Sequence, residues 1–196
     1  QKSIFKYLDK NGEVIISLKK DSNYFFYADP FFLDSKIIVE GLSKKKAKGE
    51  LLIIDPNKNI IIKKIKHGRN HLSYPYTFKC PQGTFIYPDS YSLKKSILYS
   101  INKDNNIDCI KMNQFYKGLS DPSVILYEDN FYLFANYSNE PGILRVWISK
   151  NPFFKKFIEH PCSPILISPR GGRMGGRIFY FDKKWYRFGQ DCSSDY

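Results

Sequence analysis

The stretch Ser120-Asp121-Pro122-Ser123-Val124-Ile125-Leu126-Tyr127-Glu128-Asp129-Asn130-Phe131-Tyr132-Leu133-Phe134-Ala135-Asn136-Tyr137-Ser138 decides the fold. β-Branched and aromatic residues at 123–127 and 131–135 flank Glu128-Asp129-Asn130, a turn-forming triplet, and so predict a hairpin. Proline fixes φ and has no N–H to give to a ladder, so Pro122 is expected at the first position of its strand. That puts Asp121 at the strand's mouth.

The unit recurs. Tyr27-Ala28-Asp29-Pro30-Phe31-Phe32-Leu33, a turn at Asp34-Ser35 and Lys36-Ile37-Ile38-Val39-Glu40 form one copy. Ser73-Tyr74-Pro75-Tyr76-Thr77-Phe78, a turn at Pro81-Gln82-Gly83 and Thr84-Phe85-Ile86-Tyr87 form another. Pro30, Pro75 and Pro122 stand 45 and 47 residues apart. A degenerate fourth copy runs over 176–181, turns at Asp182-Lys183-Lys184 and returns over 185–188, with Gly176 in the proline's place. Further strand pairs fill the intervals: 50–54 with 60–65, 96–101 with 108–112, and 143–149 with 153–159. Each period therefore offers an inner and an outer hairpin, and self-similarity near 40–50 residues with about four strands per period is what a β-propeller produces. A β-sandwich with turns every 8–12 residues is the competing architecture.

The predicted fold is all-β: a single propeller domain over residues 1–196 with repeats starting near 29, 74, 121 and 175. An additional hairpin, 4–8 with 14–18 around Asn11-Gly12, reads as the tail of an earlier blade. Three and a half to four blades are fewer than a comfortably closed ring, so the chain is expected to be a piece of a longer propeller.

Composition sets limits. A 42% hydrophobic and 17% aromatic content excludes general disorder. No apolar run approaches the roughly 18 residues of a membrane span. The net charge of +12 invites a nucleic-acid reading, but the lysines are dispersed and no RNP, zinc-finger or helix-turn-helix pattern occurs, so no nucleic-acid partner is expected. Solvated surface is the expected role of these lysines, with an anionic ligand or a membrane surface as the alternative. Cys80, Cys109, Cys162 and Cys192 have neither CxxC spacing nor a close histidine, so neither a zinc site nor another metal is implied. Scattered reduced thiols suit a cytoplasmic protein. No cofactor motif is present.

The innermost strand of each propeller blade lines the central channel, so residues at equivalent positions converge. Asp29 and Asp121, from blades one and three, are thereby expected across one pocket. Paired carboxylates on an aromatic-rimmed cavity suit glycosidic-bond chemistry, one as base and the other positioning substrate or tuning a neighbour. An Asp before Pro is equally a turn residue that bonds its own backbone. His71, Tyr74, Asp89, Gln190 and Asp191 are candidate substrate-binding residues near strand ends, and Tyr74, Tyr76 and Trp185 could stack on sugar rings. His67 and His160 read as surface.

The Ala28-Asp29-Pro30 and Ser120-Asp121-Pro122 pair resembles the five-bladed propeller glycosidases of glycoside hydrolase family 43. That resemblance implies a general base at Asp29 and a pKa-modulating orienter at Asp121. More narrowly, Ala28-Asp29-Pro30-Phe31, His71-Leu72-Ser73-Tyr74-Pro75, Tyr87-Pro88-Asp89-Ser90 and Gly189-Gln190-Asp191-Cys192-Ser193 resemble the N-terminal propeller of plant glucosamine inositolphosphorylceramide transferases. Similar bacterial domains stand alone or beside sugar formyltransferase domains. The hydrolases carry their general acid, a Glu, near the start of blade four, where this chain has Pro169-Arg170-Gly171-Gly172-Arg173-Met174-Gly175-Gly176-Arg177. Without a proton donor, hydrolysis of an ordinary glycoside loses about 10²–10⁴-fold. A phosphate leaving group needs neutralisation instead, which Arg170 and Arg173 in a Gly-rich loop would supply. The expectation is a domain that binds and transfers a sugar in glycan or glycolipid assembly, with a carbohydrate or nucleotide-sugar ligand and a fused or neighbouring transferase domain. The alternatives are a furanosidase- or xylosidase-like hydrolase and a non-catalytic glycan-binding module.

Overall fold

A computed structural model describes residues 18–93, 96–102, 106–111, 118–151 and 157–194. The hairpin expected over 4–8 and 14–18 lies outside these residues, apart from Leu18. Blade one is an antiparallel sheet of β1 (Tyr24–Leu33), β2 (Lys36–Ser43), β3 (Lys48–Asp55) and β4 (Ile60–Ile65), in that order. Blade two repeats it with β5 (Ser73–Cys80), β6 (Gly83–Asp89), β7 (Ile97–Ile101) and β8 (Ile107–Lys111). Blade three holds β9 (Leu119–Tyr127), β10 (Asn130–Tyr137), β11 (Ile143–Ser149) and the two-residue β12 (Ile158–Glu159), while β13 (Leu166–Ile167) also pairs with β11.

Two-residue turns set the hairpins. Glu128 and Asp129 have φ of 45° and 60°, and Asp182 and Lys183 have the same values. Positive φ at both central positions is the hairpin turn whose twist matches that of the flanking strands. These loops are one residue shorter than the triplets expected from sequence: Asn130 already pairs with Tyr127, and Lys184 with Phe181.

Blade four departs from the expected Gly-rich loop. Arg170-Gly171-Gly172-Arg173-Met174 is a strand, β14 (Arg170–Met174), paired with β17 (Gly189–Asp191), and the hairpin of β15 (Phe179–Phe181) and β16 (Lys184–Tyr186) stands beside it. Backbone pairing sets Arg170 across from Asp191 and Arg173 across from Gln190, with Gly171-Gly172 bulged between them and φ of 93° at Gly171.

The inner strands pack in sequence, β1 on β5, β5 on β9 and β9 on β14. One apolar cluster runs through all four, from Phe31 and Ile38 through Leu72, Tyr76 and Phe85 to Leu133, Leu144, Met174 and Ile178. Polar cross-links join neighbouring blades: Thr77 Oγ1 donates to the Phe32 carbonyl at 2.7 Å and Tyr76 OH to the Val124 carbonyl at 2.9 Å. The Phe31 ring meets Tyr74 and Tyr76 edge-on at 5.1 and 5.4 Å, geometry worth about 0.5–1.5 kcal/mol per pair beyond the buried area. The opposite face of blade one carries a second cluster of Tyr24, Ile37, Val39, Leu52 and Ile54 beneath an apolar groove of about 700 Å³ that includes Phe25, Phe26 and Phe32. All four cysteines are free thiols.

The prolines do not open their strands. Each lies inside one, as half of a bulge. Asp29-Pro30 faces the single residue Val39, between the pairs Ala28–Glu40 and Phe31–Ile38. Tyr74-Pro75 faces Pro88 alone, and Asp121-Pro122 faces Ala135 alone. The residue before each proline has left-handed backbone: φ is 49° at Asp29, 43° at Tyr74 and 48° at Asp121. Proline has no N–H to leave unpaired, so it suits a bulge, while the left-handed backbone before it departs from the extended one that a following proline favours.

Candidate functional site

Each bulge turns its leading residue toward the same place, and the partner strand supplies a buried polar residue beside it. Across from β1 is Glu40, across from β5 is Asp89 and across from β9 is Asn136, paired with Ala28, Ser73 and Ser120 respectively. All three side chains are buried. Three blades thus deliver pairs by one rule: Asp29 with Glu40, Tyr74 with Asp89, Asp121 with Asn136.

Arg173 of β14 closes the cluster. Its Nε donates to Asp121 Oδ2, and its Nη2 lies 3.9 Å from Asp89 Oδ2. Gln190 of β17 donates from Nε2 to Asp121 Oδ2 at 2.9 Å and also to the Met174 carbonyl. Asp89 Oδ1 accepts the Tyr91 amide at 2.8 Å, and its Oδ2 accepts the Asp121 amide at 3.3 Å. Asn136 donates to three carbonyls, of Pro141, Ile143 and Gly172, and so ties the hairpin of β10 and β11 to β14. Asp121 is therefore a clamped carboxylate, fixed by two side chains from blade four.

The electrostatics follow from burial and from an excess of negative charge. Burial pushes the Asp121 carboxyl up to about 7; Arg173 opposes this, and the Asp89 and Asp29 charges reinforce it. Burial raises Asp29 as well, helped by Glu40 and countered by the Tyr74 amide and Arg173. Asp89 is raised by burial against the Tyr91 amide and Arg173. Asp29 differs from the other two in being only half-buried, so its carboxyl is the acidic group a ligand can reach.

His71 sits at the edge of this cluster. Its Nδ1 accepts the Gly49 amide at 3.0 Å, and its Nε2 faces Glu40 Oε1 at 3.3 Å. The Glu40 carboxylate raises the imidazole pKa against the cost of burial. In the neutral ring, the Gly49 amide on Nδ1 leaves the proton on Nε2, facing Glu40. Both ring nitrogens are thus engaged by protein.

The structure brings Asp29, Tyr74, Asp89, Asp121, Arg173 and Gln190 together, with His71 at their margin. Arg170 and Asp191, paired with each other on β14 and β17, stay outside: both are exposed, and no hydrogen bond or ion pair among the described residues joins their side chains to the cluster. Asp191 Oδ1 instead accepts the Ser193 amide at 3.0 Å. Arg173 is engaged by carboxylates rather than held ready for phosphate. Tyr74 and Tyr76 are buried, their hydroxyls bonded to Ser123 and Gly176 and to Val124, so neither ring offers a face to a sugar. Trp185 is exposed but lies in a separate groove with Tyr127, Tyr132 and Arg187. Glu40 and Asn136 were not expected from sequence. The signal for Glu40 was a carboxylate closing the apolar run Ile37-Ile38-Val39 directly across from Ala28. Among the described residues, no group of three His, Cys, Asp or Glu side chains is arranged to hold a metal ion.

The four-stranded sheets, packed in sequence through their inner strands, have the propeller fold seen in solved family-43 glycoside hydrolases. The chain superposes on a family-43 β-1,3-galactosidase with a TM-score of 0.61 at 11% identity, covering 87% of this chain and 40% of that one. A thermostable family-43 glycoside hydrolase matches with a TM-score of 0.53 at 13% identity, covering 86% and 77%. In sequence, residues 60–196 match the family described as Glucosamine inositolphosphorylceramide transferase 1, N-terminal, and the chain belongs to that family. Glucosamine inositolphosphorylceramide transferase 1 of Oryza sativa subsp. japonica is 35% identical over 133 residues, which are 64% of this chain and 18% of the relative. The chain thus spans less than a fifth of that relative's length.

Proposed function

We propose that this domain binds a sugar over the cluster at the inner strands and takes part in its transfer during glycan or glycolipid assembly. The observation that carries this reading is the contrast between two carboxylates: Asp29, only partly buried and with a raised pKa, and Asp121, buried and clamped by Arg173 and Gln190. Asp29 takes the proton of an acceptor hydroxyl or positions that hydroxyl, and its raised pKa moves it toward the working pH of a general base. Asp121, with Asp89 and Arg173, fixes the electrostatic field in which Asp29 works. The relatives' name, a transferase of an inositolphosphorylceramide, supports a glycolipid acceptor and a neighbouring transferase domain in the whole protein.

One observation favours a second reading, a non-catalytic glycan-binding module. Arg173 is occupied by carboxylates, and β14 offers no acid to protonate a leaving oxygen. Hydrolysis is the reading least supported for the same reason.

Product analysis tests the choice. Nucleotide-sugar donors with lipid or glycan acceptors are expected to give a glycosylated product whose formation Asp29→Asn slows by about 10²–10⁴-fold, while chromogenic glycosides are not cleaved. Sugar binding that survives both Asp29→Asn and Asp121→Asn, with no turnover on either substrate set, would assign the domain to glycan binding alone.

A further inference from the structure

Beside the acidic cluster, on the other side of Gly49, lies a pocket of opposite sign. The turn between β2 and β3 and the connection between β4 and β5 enclose about 250 Å³ lined by Lys46, Lys48, Glu50, Lys66, Arg69 and Gly49, among others. Four cations face one carboxylate. Glu50 is buried and its Oε1 holds two of them, Lys46 at 3.3 Å and Lys66 at 3.6 Å. Lys48 and Arg69 are surplus charge, and the Arg69 guanidinium forms no ion pair among the described residues.

The pocket is built rather than incidental. His67 and Asn70 form a β-bridge, with the Asn70 amide on the His67 carbonyl at 3.0 Å, so Gly68 and Arg69 are carried on a tight turn. Gly68 has φ of 57°, which admits glycine at little strain. Lys48 Nζ donates to the Arg69 carbonyl, and the Leu72 amide to the Gly49 carbonyl at 3.1 Å, which pins the two loops together. Four cations around one carboxylate leave three positive charges in excess, and a compact dianion offsets that excess. Arg and Lys on a preset frame are the donors that recognise phosphate.

We infer that this pocket binds a phosphate group, and that it does so next to the sugar site. The link is short: the Gly49 amide that borders the pocket donates to His71, and His71 meets Glu40 of the acidic cluster. A ligand carrying a sugar and a phosphate a few bonds apart can place one on each side of Gly49. The inference deepens the proposed sugar-transfer reading, but phosphate binding at these four cations is measurable without any sugar. The phosphate can belong to a soluble sugar phosphate or to a lipid headgroup.

The test follows the backbone amides of Gly49, Gly68 and Arg69 by NMR as inorganic phosphate is added, with potassium chloride at matched ionic strength as control. Saturable shifts at these amides are expected with phosphate and not with chloride. The Lys48→Gln/Arg69→Gln double variant is expected to bind about tenfold more weakly or worse, since it loses two charge-assisted donors, while Lys36→Gln/Lys184→Gln, which removes the same charge elsewhere, leaves binding unchanged. Unshifted amides far from the pocket check that the variants are folded. Sedimentation with phosphatidylcholine vesicles, with and without phosphatidic acid, separates the sources. Capture that needs phosphatidic acid, Lys48 and Arg69 assigns a lipid phosphate, and shifts with free phosphate but no capture assign a soluble one. Shifts that chloride reproduces, or affinity equal in the two double variants, would overturn the inference. Loss of phosphate binding with sugar binding intact separates this site from the one beside it.

Discussion

Arg173 Nε on β14 donates to Asp121 Oδ2 on β9, joining two residues 52 positions apart across neighbouring inner strands. The same guanidinium stands 3.9 Å from Asp89 of blade two. One cation therefore holds carboxylates from two different blades, and its removal leaves both buried without it.

Replacing Arg173 is expected to be costly for that reason. Arg173→Gln should destabilise the chain by up to about 3–5 kcal/mol at a pH above 7, where Asp121 is ionised, the usual penalty for orphaning a buried charge. The penalty should shrink in an Asp121→Asn background, where one of the two carboxylates is gone. Thermal or urea unfolding of the four proteins in that cycle gives both numbers, and equal penalties in the two backgrounds would mean that the pair does not couple.

The pH dependence of stability has a defined sign. Asp121 titrates near 7 when folded and near 4 when unfolded, so between those values the folded chain keeps a proton that the unfolded chain has released. Stability is therefore expected to fall as pH rises from about 4 through about 7, and the upward shifts of Asp29 and Asp89 act in the same direction. The urea midpoint should be lower at pH 8 than at pH 5, and Asp121→Asn should reduce the difference. A midpoint that rises over this range would contradict the assigned shifts.

Gly49 tolerates no side chain. A Cβ there would meet the Leu72 carbonyl oxygen at 2.3 Å, Glu40 Oε1 at 2.7 Å and His71 Cε1 at 3.0 Å. Gly49→Ala should cost about 1–3 kcal/mol, as overpacking does, and should displace His71 from Glu40. The His71 ring resonances report the second effect directly, and unchanged resonances would refute it.

Tyr74 is a bulky residue held at φ of 43°, a backbone conformation that such side chains rarely adopt. Its hydroxyl bonds Ser123 at 3.0 Å and the Gly176 carbonyl at 3.1 Å, which links blades two, three and four. Tyr74→Phe should lose about 1–2 kcal/mol through the unpaired groups it leaves. A melting temperature equal to that of the parent chain would show that these bonds contribute nothing net.

The repeat was legible because strand patterning is local: alternating apolar residues, polar turn residues between them and a proline every 45 to 47 positions are all visible in the chain itself, although the turns proved a residue shorter than read. The convergence of Asp29 and Asp121 followed from that repeat. What the sequence hid depends on register. Glu40 and Asn136 become site residues only once each bulge sets them beside the turned residue of the inner strand, and a one-residue slip would send them to the other face. Arg173 looked like a phosphate ligand because a Gly-rich run reads as a loop. Its pairing with Gln190 across β17 and its attraction to two carboxylates depend on strands from three blades. The αL backbone at Tyr74 was equally hidden, since nothing in a tyrosine before a proline predicts it.

Asp29→Asn offers a further contrast between stability and function. The carboxyl is held above its ordinary pKa by burial and by Glu40, so neutralising it should leave stability unchanged or slightly raised while turnover falls by about 10²–10⁴-fold. Parallel unfolding curves and product yields check this, and a large loss of stability would make Asp29 a structural residue.

The central claim, that the sugar sits over the inner-strand cluster against Asp29, is tested most directly by following the carboxyl ¹³C resonances of labelled aspartates while nucleotide sugars and free glucosamine are titrated in. The account predicts a saturable shift at Asp29, a smaller one at Asp121 and none at exposed Asp191. A sugar that binds while both inner carboxyls stay unmoved would contradict it.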